Sequence, residues 1–154
     1  MRIMKNLGLG TVAVIAGAVA HADSKDVYGL WLTAAGTAQV DIADCGDGTP
    51  CGSVAWIDPD SLEPGVTPET AVDRNNPDPA LRDQPVIGMT MLTDFEEKRS
   101  DWRGGTIYDA EAGKAYGSRL KKLDDGTLQV KGCIGPICQT QIWTPVAAIS
   151  ETEG

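Results

Sequence analysis

The sequence predicts an all-β fold: an eight-stranded antiparallel up-and-down barrel with one long proline-rich loop. In the stretch Asp101–Lys121, aromatic and β-branched residues lie on both sides of the turn-like segment Asp109–Gly113, which is the pattern of a β-hairpin. Residues 127–146 repeat this pattern around a pair of cysteines, and residues 28–57 repeat it around turns of their own. Because consecutive hairpins form an antiparallel meander, we expect the sheet to close into a small barrel.

Eight segments have the composition or the alternation of strands. In the fifth of them, a period of two places Trp102, Gly104, Thr106 and Tyr108 on one face. The strands are predicted at Tyr28–Ala34, Thr37–Asp44, Cys51–Ile57, Pro85–Leu92, Asp101–Asp109, Lys114–Lys121, Thr127–Cys133 and Cys138–Val146.

Residues 1–22 have the pattern of a cleaved signal peptide. A positively charged start precedes an apolar run at 7–20, and small residues lead to a predicted cut after Ala22. The apolar run is too short for a membrane span, and no other run of roughly eighteen apolar residues follows. We therefore expect a periplasmic or secreted protein whose mature chain, residues 23–154, is a single domain of about 132 residues.

Cleavage at this point changes the charge and the chemistry of the chain. The net charge is −9, and of the 13 basic residues the loss of Arg2 and Lys5 leaves 11 against 22 acidic ones, a net charge of −11. His21, the only histidine, is also lost, so the mature chain has no imidazole for a catalytic pair or a metal site. An acidic protein repels phosphate backbones, which argues against nucleic acid as a partner.

The four cysteines are expected to form disulfides in an oxidising compartment. Three pairings exist, and the local one, Cys45–Cys51 with Cys133–Cys138, is favoured because each pair brackets one hairpin turn. A zinc site of four thiolates is the rival interpretation, but the spacings C-x5-C and C-x4-C differ from the usual C-x2-C. The acidic residues Asp58, Asp60 and Glu63 lack the spacing of a calcium loop. We expect no metal and no cofactor.

The segment Asp58–Gln84 is the longest connection and holds five of the nine prolines. A loop of this length is expected to be functional, to form an Ω-like lid, or to be mobile. The predicted fourth strand is apolar on both faces, so we expect the loop to cover its outer face. Within the loop, Asn76–Arg82 has the pattern of one helical turn, with Asn76 as cap and Pro77 in the first position.

A set of residues spread over most of the mature chain resembles the bacterial family called domain of unknown function 2147. The set comprises Gly29, Trp31, Cys45, Cys51, Gly52, Trp56, Asp73, Asn76, Pro77, Leu81, Arg82, Gly88, Trp102, Gly104, Gly105, Ile107, Tyr108, Asp109, Gly113, Lys114, Tyr116, Gly132, Trp143 and Thr144. Gly29-Leu-Trp31 also resembles the Gly-x-Trp motif of lipocalins. The resemblance implies a periplasmic or secreted lipocalin-like barrel without an established activity, in which Gly29, Trp31 and Arg82 have structural roles. The chain departs from the family pattern at Gln84, Ala110, Ala112 and Pro145.

A barrel of about eight strands encloses room for its own side chains or for one small ligand. Tryptophan, tyrosine and methionine suit amphipathic ligands, although on strands such residues also fill cores. The candidate polar anchor is Arg119 or Gln141. The rival interpretation of Arg119 is an exposed strand charge beside Lys121. The remaining predicted ligand-binding residues are Trp56, Met89, Trp102, Tyr108, Tyr116 and Trp143.

Three classes of function follow from these features. The first is a binding protein or carrier for a small apolar or amphipathic molecule, neutral or cationic because the protein is acidic. The second is a protein-interaction module, such as an inhibitor or an envelope-assembly factor, with a filled barrel and an exposed apolar patch. The third, an enzyme, is the least favoured: Ser118 and Lys121 match S-x-x-K, but residues three apart on a strand point to opposite faces.

Overall fold

The structure is a computed structural model that describes residues 23–147. The predicted signal peptide and residues 148–154 lie outside the described residues. Two short 3-10 helices, Pro59–Ser61 and Pro79–Leu81, lie between the third and fourth strands. The nine strands of the described residues are β1 (Gly29–Leu32), β2 (Ala38–Asp44), β3 (Pro50–Ile57), β4 (Thr90–Thr93), β5 (Glu96–Glu97), β6 (Trp102–Asp109), β7 (Lys114–Lys122), β8 (Leu128–Ile134) and β9 (Ile137–Pro145).

These strands form one closed antiparallel barrel. Every strand pairs with the next one in sequence, except that β4 and β5 do not pair with each other. The barrel closes because β1 pairs with β9. Both β4 and β5 pair with β6, where Leu92 is opposite Ile107 and Glu96 is opposite Arg103. They therefore act as one strand that is interrupted next to Asp94, which has a φ of 63°. The predicted eight-stranded up-and-down barrel is confirmed.

Seven of the eight predicted strands are found with ends within two residues of the prediction. The fourth is wrong at its start, because β4 begins only at Thr90. Before it, Gly88 has a φ of 85°, which interrupts an extended strand, although its N–H still donates to the carbonyl of Val54 at 2.7 Å. The two-residue strand β5 was not predicted, because two adjacent glutamates have the composition of a loop.

The predicted face of β6 is also wrong. Gly104 has a φ of 68°, and the pairing register with β7 shifts between Trp102 and Gly105. This bulge adds one residue to β6, so Gly105 is buried as Trp102 is, while Gly104 is exposed. Ile107 then packs against the core on the same face as Trp102, and Thr106 and Tyr108 belong to the other face.

The predicted helical turn exists but lies two residues further along the chain. It is the 3-10 helix Pro79–Leu81, and its cap is Asp78, whose side chain accepts a hydrogen bond from the N–H of Ala80 at 2.9 Å. Asn76 instead accepts from the N–H of Asp78. Both Asn-Pro and Asp-Pro fit a cap followed by proline, and the sequence did not distinguish them. Within residues 23–147, no helix has the length and apolar character to cross a bilayer.

The proline-rich loop packs against the barrel as expected. Apolar residues of the loop form a second cluster with β3 and with the segment that leads into β4. The cluster comprises Val54, Ile57, Leu62, Val66, Ala71, Val86, Ile87 and Met91. The loop therefore completes the wall where β4 is short.

Candidate functional site

The barrel interior is filled at one end. The indole N–H of Trp31 donates to the carbonyl of Val27, and that of Trp102 donates to the carbonyl of Lys25, each at 2.9 Å. These bonds hold the segment before β1 against this end of the barrel. The core comprises Val27, Trp31, Val40, Ile42, Leu92, Phe95, Trp102, Leu120, Leu128, Val130 and Trp143.

The other end of the barrel is hollow. A cavity of about 940 Å³ opens among the β1–β2, β6–β7 and β8–β9 turns. Val130 and Trp143 belong both to the core and to the cavity lining, so they form its floor. The apolar and aromatic residues of the lining are Ala34, Ala35, Ala38, Val54, Met89, Met91, Ile107, Tyr108, Ala110, Tyr116, Val130, Ile134, Ile137 and Trp143.

Five of the eight predicted ligand-binding residues lie around this cavity: Met89, Tyr108, Tyr116, Gln141 and Trp143. The other three are elsewhere. Trp102 is 5% exposed and belongs to the core of the filled end. Trp56 and Arg119 are exposed, which agrees with the rival interpretation of Arg119 as a surface charge.

Several lining residues were absent from the predicted set. Met91 is the clearest case, because the register of β3 with β4 shifts between Gly52 and Ser53. Gly52 is opposite Leu92 and Ser53 is opposite Thr90, so Met91 is an extra residue that packs towards both the core and the cavity. Such a bulge has no regular sequence pattern. Ile107 lines the cavity because of the bulge in β6.

A buried carboxylate joins the proline-rich loop to the cavity wall. Asp73 is 1% exposed and accepts three hydrogen bonds, from the hydroxyl of Tyr108 at 2.8 Å, from Asn76 Nδ2 at 2.7 Å and from Gln84 Nε2 at 3.0 Å. Buried charges require such partners. Gln84, where the family pattern has another residue, is thus part of this network, which fixes the ring of Tyr108 in the wall.

The same network changes the acidity of Tyr108. Burial, followed by its hydrogen bond to the negatively charged Asp73, raises the pKa of Tyr108 to about 12. The phenol is therefore neutral at physiological pH. Its hydroxyl is already used by Asp73, so it is not free to bond a ligand in the cavity that Tyr108 helps to line.

The loop also contacts the turn between β6 and β7. Asn75 Nδ2 donates to the carbonyl of Glu111 at 2.9 Å. Gly113 has a φ of 63°, and a Cβ atom there would overlap the carbonyl of Asn75. Glycine is thus required at this position by both the backbone conformation and the close approach of the loop.

The three residues expected to be structural are at identifiable places. Gly29 begins β1 with a φ of 128°, a conformation that favours glycine. Trp31 lies in the core of the filled end. Arg82 Nε donates to the carbonyl of Asn76 at 2.8 Å and so braces the loop next to Asp73.

The cysteines form the two predicted disulfides, Cys45–Cys51 at the β2–β3 turn and Cys133–Cys138 at the β8–β9 turn. The rival zinc site is therefore wrong, because all four sulfur atoms are bonded in pairs. Among residues 23–147, no group of three or more His, Cys, Asp or Glu side chains is arranged to hold a metal ion. Ser118 and Lys121 lie on opposite faces of β7, as expected.

The polar groups around the cavity are neutral or acidic. Its lining includes Asp109 and Glu111 at the mouth and contains no Lys, Arg or His. Some of the neutral groups already have partners, as Gln141 Oε1 accepts from the indole of Trp143 at 3.0 Å. The remaining polar residues of the lining are Thr33, Thr37 and Gln139.

The closed barrel with one filled and one hollow end has a lipocalin-like fold. A solved structure, that of HP1028 from the human pathogen Helicobacter pylori, is described as belonging to the lipocalin family. It resembles this chain with a TM-score of 0.66 and 20% identity, over 80% of this chain and 85% of that chain.

The chain belongs to the family described as "Uncharacterized protein conserved in bacteria (DUF2147)", whose model matches residues 29–145. The resemblance drawn from the sequence is thereby confirmed. No curated protein is significantly similar to the chain in sequence. Together, two disulfides and a bacterial family indicate an exported protein.

Proposed function

We propose that this protein is an exported binding protein or carrier that holds one small apolar or amphipathic molecule in its barrel. The observation that carries the proposal is the cavity of about 940 Å³, which lies at the upper end of the range typical of small-molecule sites. Its wall is mostly apolar and aromatic, with a few polar groups, which is the usual composition of such sites. The proposal is of a binding protein and not of an enzyme.

The proposed contact residues are the predicted residues that line the cavity, the two residues that the bulges turn inwards, and Val130 of the cavity floor. The proposal leaves out Trp102, which lies in the core of the filled end, and the exposed residues Trp56 and Arg119. The proposed set is Met89, Met91, Ile107, Tyr108, Tyr116, Val130, Gln141 and Trp143.

The test is a cavity-filling substitution with a control on the same strand. Ala38 lines the cavity, whereas Ala43 is exposed on the outer face of β2. The neutral fluorescent probe N-phenyl-1-naphthylamine is titrated into the purified, disulfide-bonded protein and into both variants. We expect Ala38→Phe to weaken binding by about tenfold or more, because the new ring occupies ligand volume, and Ala43→Phe to leave it unchanged.

Equal effects of the two substitutions would contradict binding inside the barrel. A complete lack of binding to the unmodified protein, with no thermal shift in a screen of apolar molecules, would remove most of the support for a carrier.

We further propose that the export signal is cleaved after Ala22 and that the mature protein is periplasmic or secreted. The two disulfides support this location, because such bonds persist in oxidising compartments. Mass spectrometry without reductant is expected to give the mass of residues 23–154 less four hydrogen atoms. A mass that retains the first 22 residues would contradict the proposed cleavage.

A protein-interaction module is the second candidate, and one observation favours it. Ile134 and Ile137, at the tip of the β8–β9 hairpin, are 71% and 75% exposed. Exposed apolar residues at a loop tip are common at interfaces. Both residues also line the cavity mouth, and therefore the first candidate accounts for them too.

A further inference from the structure

The cavity has an uneven distribution of charge. Of the residues that line it, the only ones that carry a charge are Asp109 and Glu111, and both are acidic. They lie at the turn between β6 and β7, at the mouth, whereas Met91, Val130 and Trp143 at the deep end are apolar or aromatic. The buried part of a bound molecule would therefore contact apolar side chains, and the part at the mouth would lie near negative charge.

Asp109 keeps one carboxylate oxygen available. Its Oδ1 accepts the backbone N–H groups of Glu111 at 2.9 Å and of Ala112 at 3.3 Å, while no hydrogen bond within residues 23–147 uses Oδ2. Lys114 is opposite Asp109 in the β6–β7 register, and it is exposed. The ion pairs of the described residues do not include one between Lys114 and Asp109, so this carboxylate is not neutralised by direct contact.

One tyrosine is a cross-strand neighbour of Asp109, and a second is part of the cavity lining. Tyr116 is opposite Ile107, and Asp109 is two residues further along β6, so Tyr116 and Asp109 are diagonal neighbours across the two strands. Tyr108, whose hydroxyl is held by Asp73, is also one of the residues that line the cavity. An aromatic ring attracts a cation to its face, and a carboxylate beside it attracts the same cation by charge.

We infer that the cavity selects cationic amphiphiles, with an amine or quaternary ammonium head group at the mouth beside Asp109, Glu111 and Tyr116 and an apolar tail towards Val130 and Trp143. This inference rests on the proposed function, because it names the ligand class of the same cavity. An anionic amphiphile of the same length, such as a fatty acid, would place its carboxylate beside two others with no basic side chain in the lining to pair with it. The large negative net charge of the chain adds to this discrimination.

The test compares three ligands that share a ten-carbon chain: decyltrimethylammonium and decanoate, each below its critical micelle concentration, and decanol below its solubility limit. Binding to the purified, disulfide-bonded protein is followed by calorimetry and by tryptophan fluorescence, to which Trp143 of the cavity lining contributes. We expect the ammonium compound to bind about three- to tenfold more tightly than decanol, and decanoate to bind most weakly. The preference should shrink as salt is raised, because the mouth is open to solvent.

Two variants that each remove one negative charge locate the effect. Asp109→Asn retains an Oδ1 that can still accept the two backbone N–H groups, so the turn is preserved. Asp124→Asn makes the same change of charge at the β7–β8 turn, at the filled end of the barrel. We expect the first to remove most of the preference for the ammonium compound over decanol, and the second to leave that preference unchanged.

The outcomes separate this inference from the proposed function. If decanol or decanoate binds as tightly as the ammonium compound, the inference is overturned while the carrier stands. A preference that falls equally in both variants also overturns it, because the effect would then come from net charge and not from the mouth. If none of the three ligands binds, the proposed function fails and the inference fails with it.

Discussion

The hydroxyl of Tyr108 on β6 donates a hydrogen bond to Asp73 in the proline-rich loop, at 2.8 Å and across 35 positions of the sequence. Asp73 is almost completely buried, and its other partners, Asn76 and Gln84, are neutral amides of the same loop. Tyr108 is therefore the link from the barrel wall to the network that fixes the loop. Because Tyr108 also lines the cavity, the order of the loop and the shape of the cavity depend on the same contact.

Removal of this hydroxyl should loosen the loop. We expect Tyr108→Phe to lower the free energy of unfolding by about 1–3 kcal/mol, because Asp73 then keeps a buried charge with one donor fewer. Urea unfolding measures the loss, and hydrogen exchange should show faster exchange within 58–89. Tyr116→Phe is the control, because the hydroxyl of Tyr116 has no hydrogen-bond partner among residues 23–147. Similar stability losses in the two variants would show that the Asp73 contact has no special role.

The pH dependence of stability follows from the same contact. The pKa of Tyr108 is raised from 10.0 to about 12 in the folded protein, so folding favours the neutral phenol. Its contribution is fully present below the unfolded pKa near 10 and is lost as pH rises through about 12. A spectrophotometric titration of the tyrosines should show one late phase that Tyr108→Phe removes. A titration in which Tyr108 ionises with an ordinary pKa would contradict this contact.

The Cys133–Cys138 disulfide at the cavity mouth should affect both ligand binding and the free energy of unfolding. Replacing Cys133 and Cys138 by serine is expected to lower the free energy of unfolding by about 2 kcal/mol, the entropy of closing so short a loop. The same change at Cys45 and Cys51 serves as the comparison, since that pair braces the filled end. Chemical unfolding measures both. We expect only the first pair of substitutions to alter binding of an apolar probe, and equal effects on binding would contradict a role for the hairpin at the mouth.

Substitution of Ser118, unlike the substitutions above, is expected to stabilise the protein. Its hydroxyl is buried, at 2% exposure, and makes no hydrogen bond within the described residues. An unsatisfied buried polar group costs free energy, so Ser118→Ala should raise the free energy of unfolding by about 1 kcal/mol. Ser61→Ala, at an exposed position, should change it little. A marked loss of stability in Ser118→Ala would indicate that a buried water satisfies this hydroxyl.

Most strands of the barrel could be predicted because the patterns that mark them lie within short stretches of the sequence. Hairpin turns and the alternation of side chains lie within short stretches, and for seven strands they fix the position to within two residues. The exceptions are sites where one residue breaks the alternation. These sites are the bulges at Gly104 and Met91 and the interruption at Asp94. Each depends on how the strand pairs with its neighbours, which the alternation of its own residues does not show.

The candidate site was less predictable, because depth within a barrel is not encoded in a local pattern. Trp102 and Trp143 are both buried strand tryptophans, yet only Trp143 reaches the cavity. The difference is the level at which each residue sits along the barrel axis, which follows from the register of the whole sheet. The contact of Asp73 with Tyr108 was equally hidden, because it joins a loop to a strand far away in sequence.

The most direct test of the account is a crystal structure of the disulfide-bonded protein with 10-bromodecanol, whose bromine is located by anomalous scattering. We expect one bromine site inside the hollow end of the barrel, near Met91, Val130 and Trp143, with the hydroxyl towards the mouth. Bromine found only on the outer surface, or a barrel whose hollow end is filled by its own side chains, would contradict it.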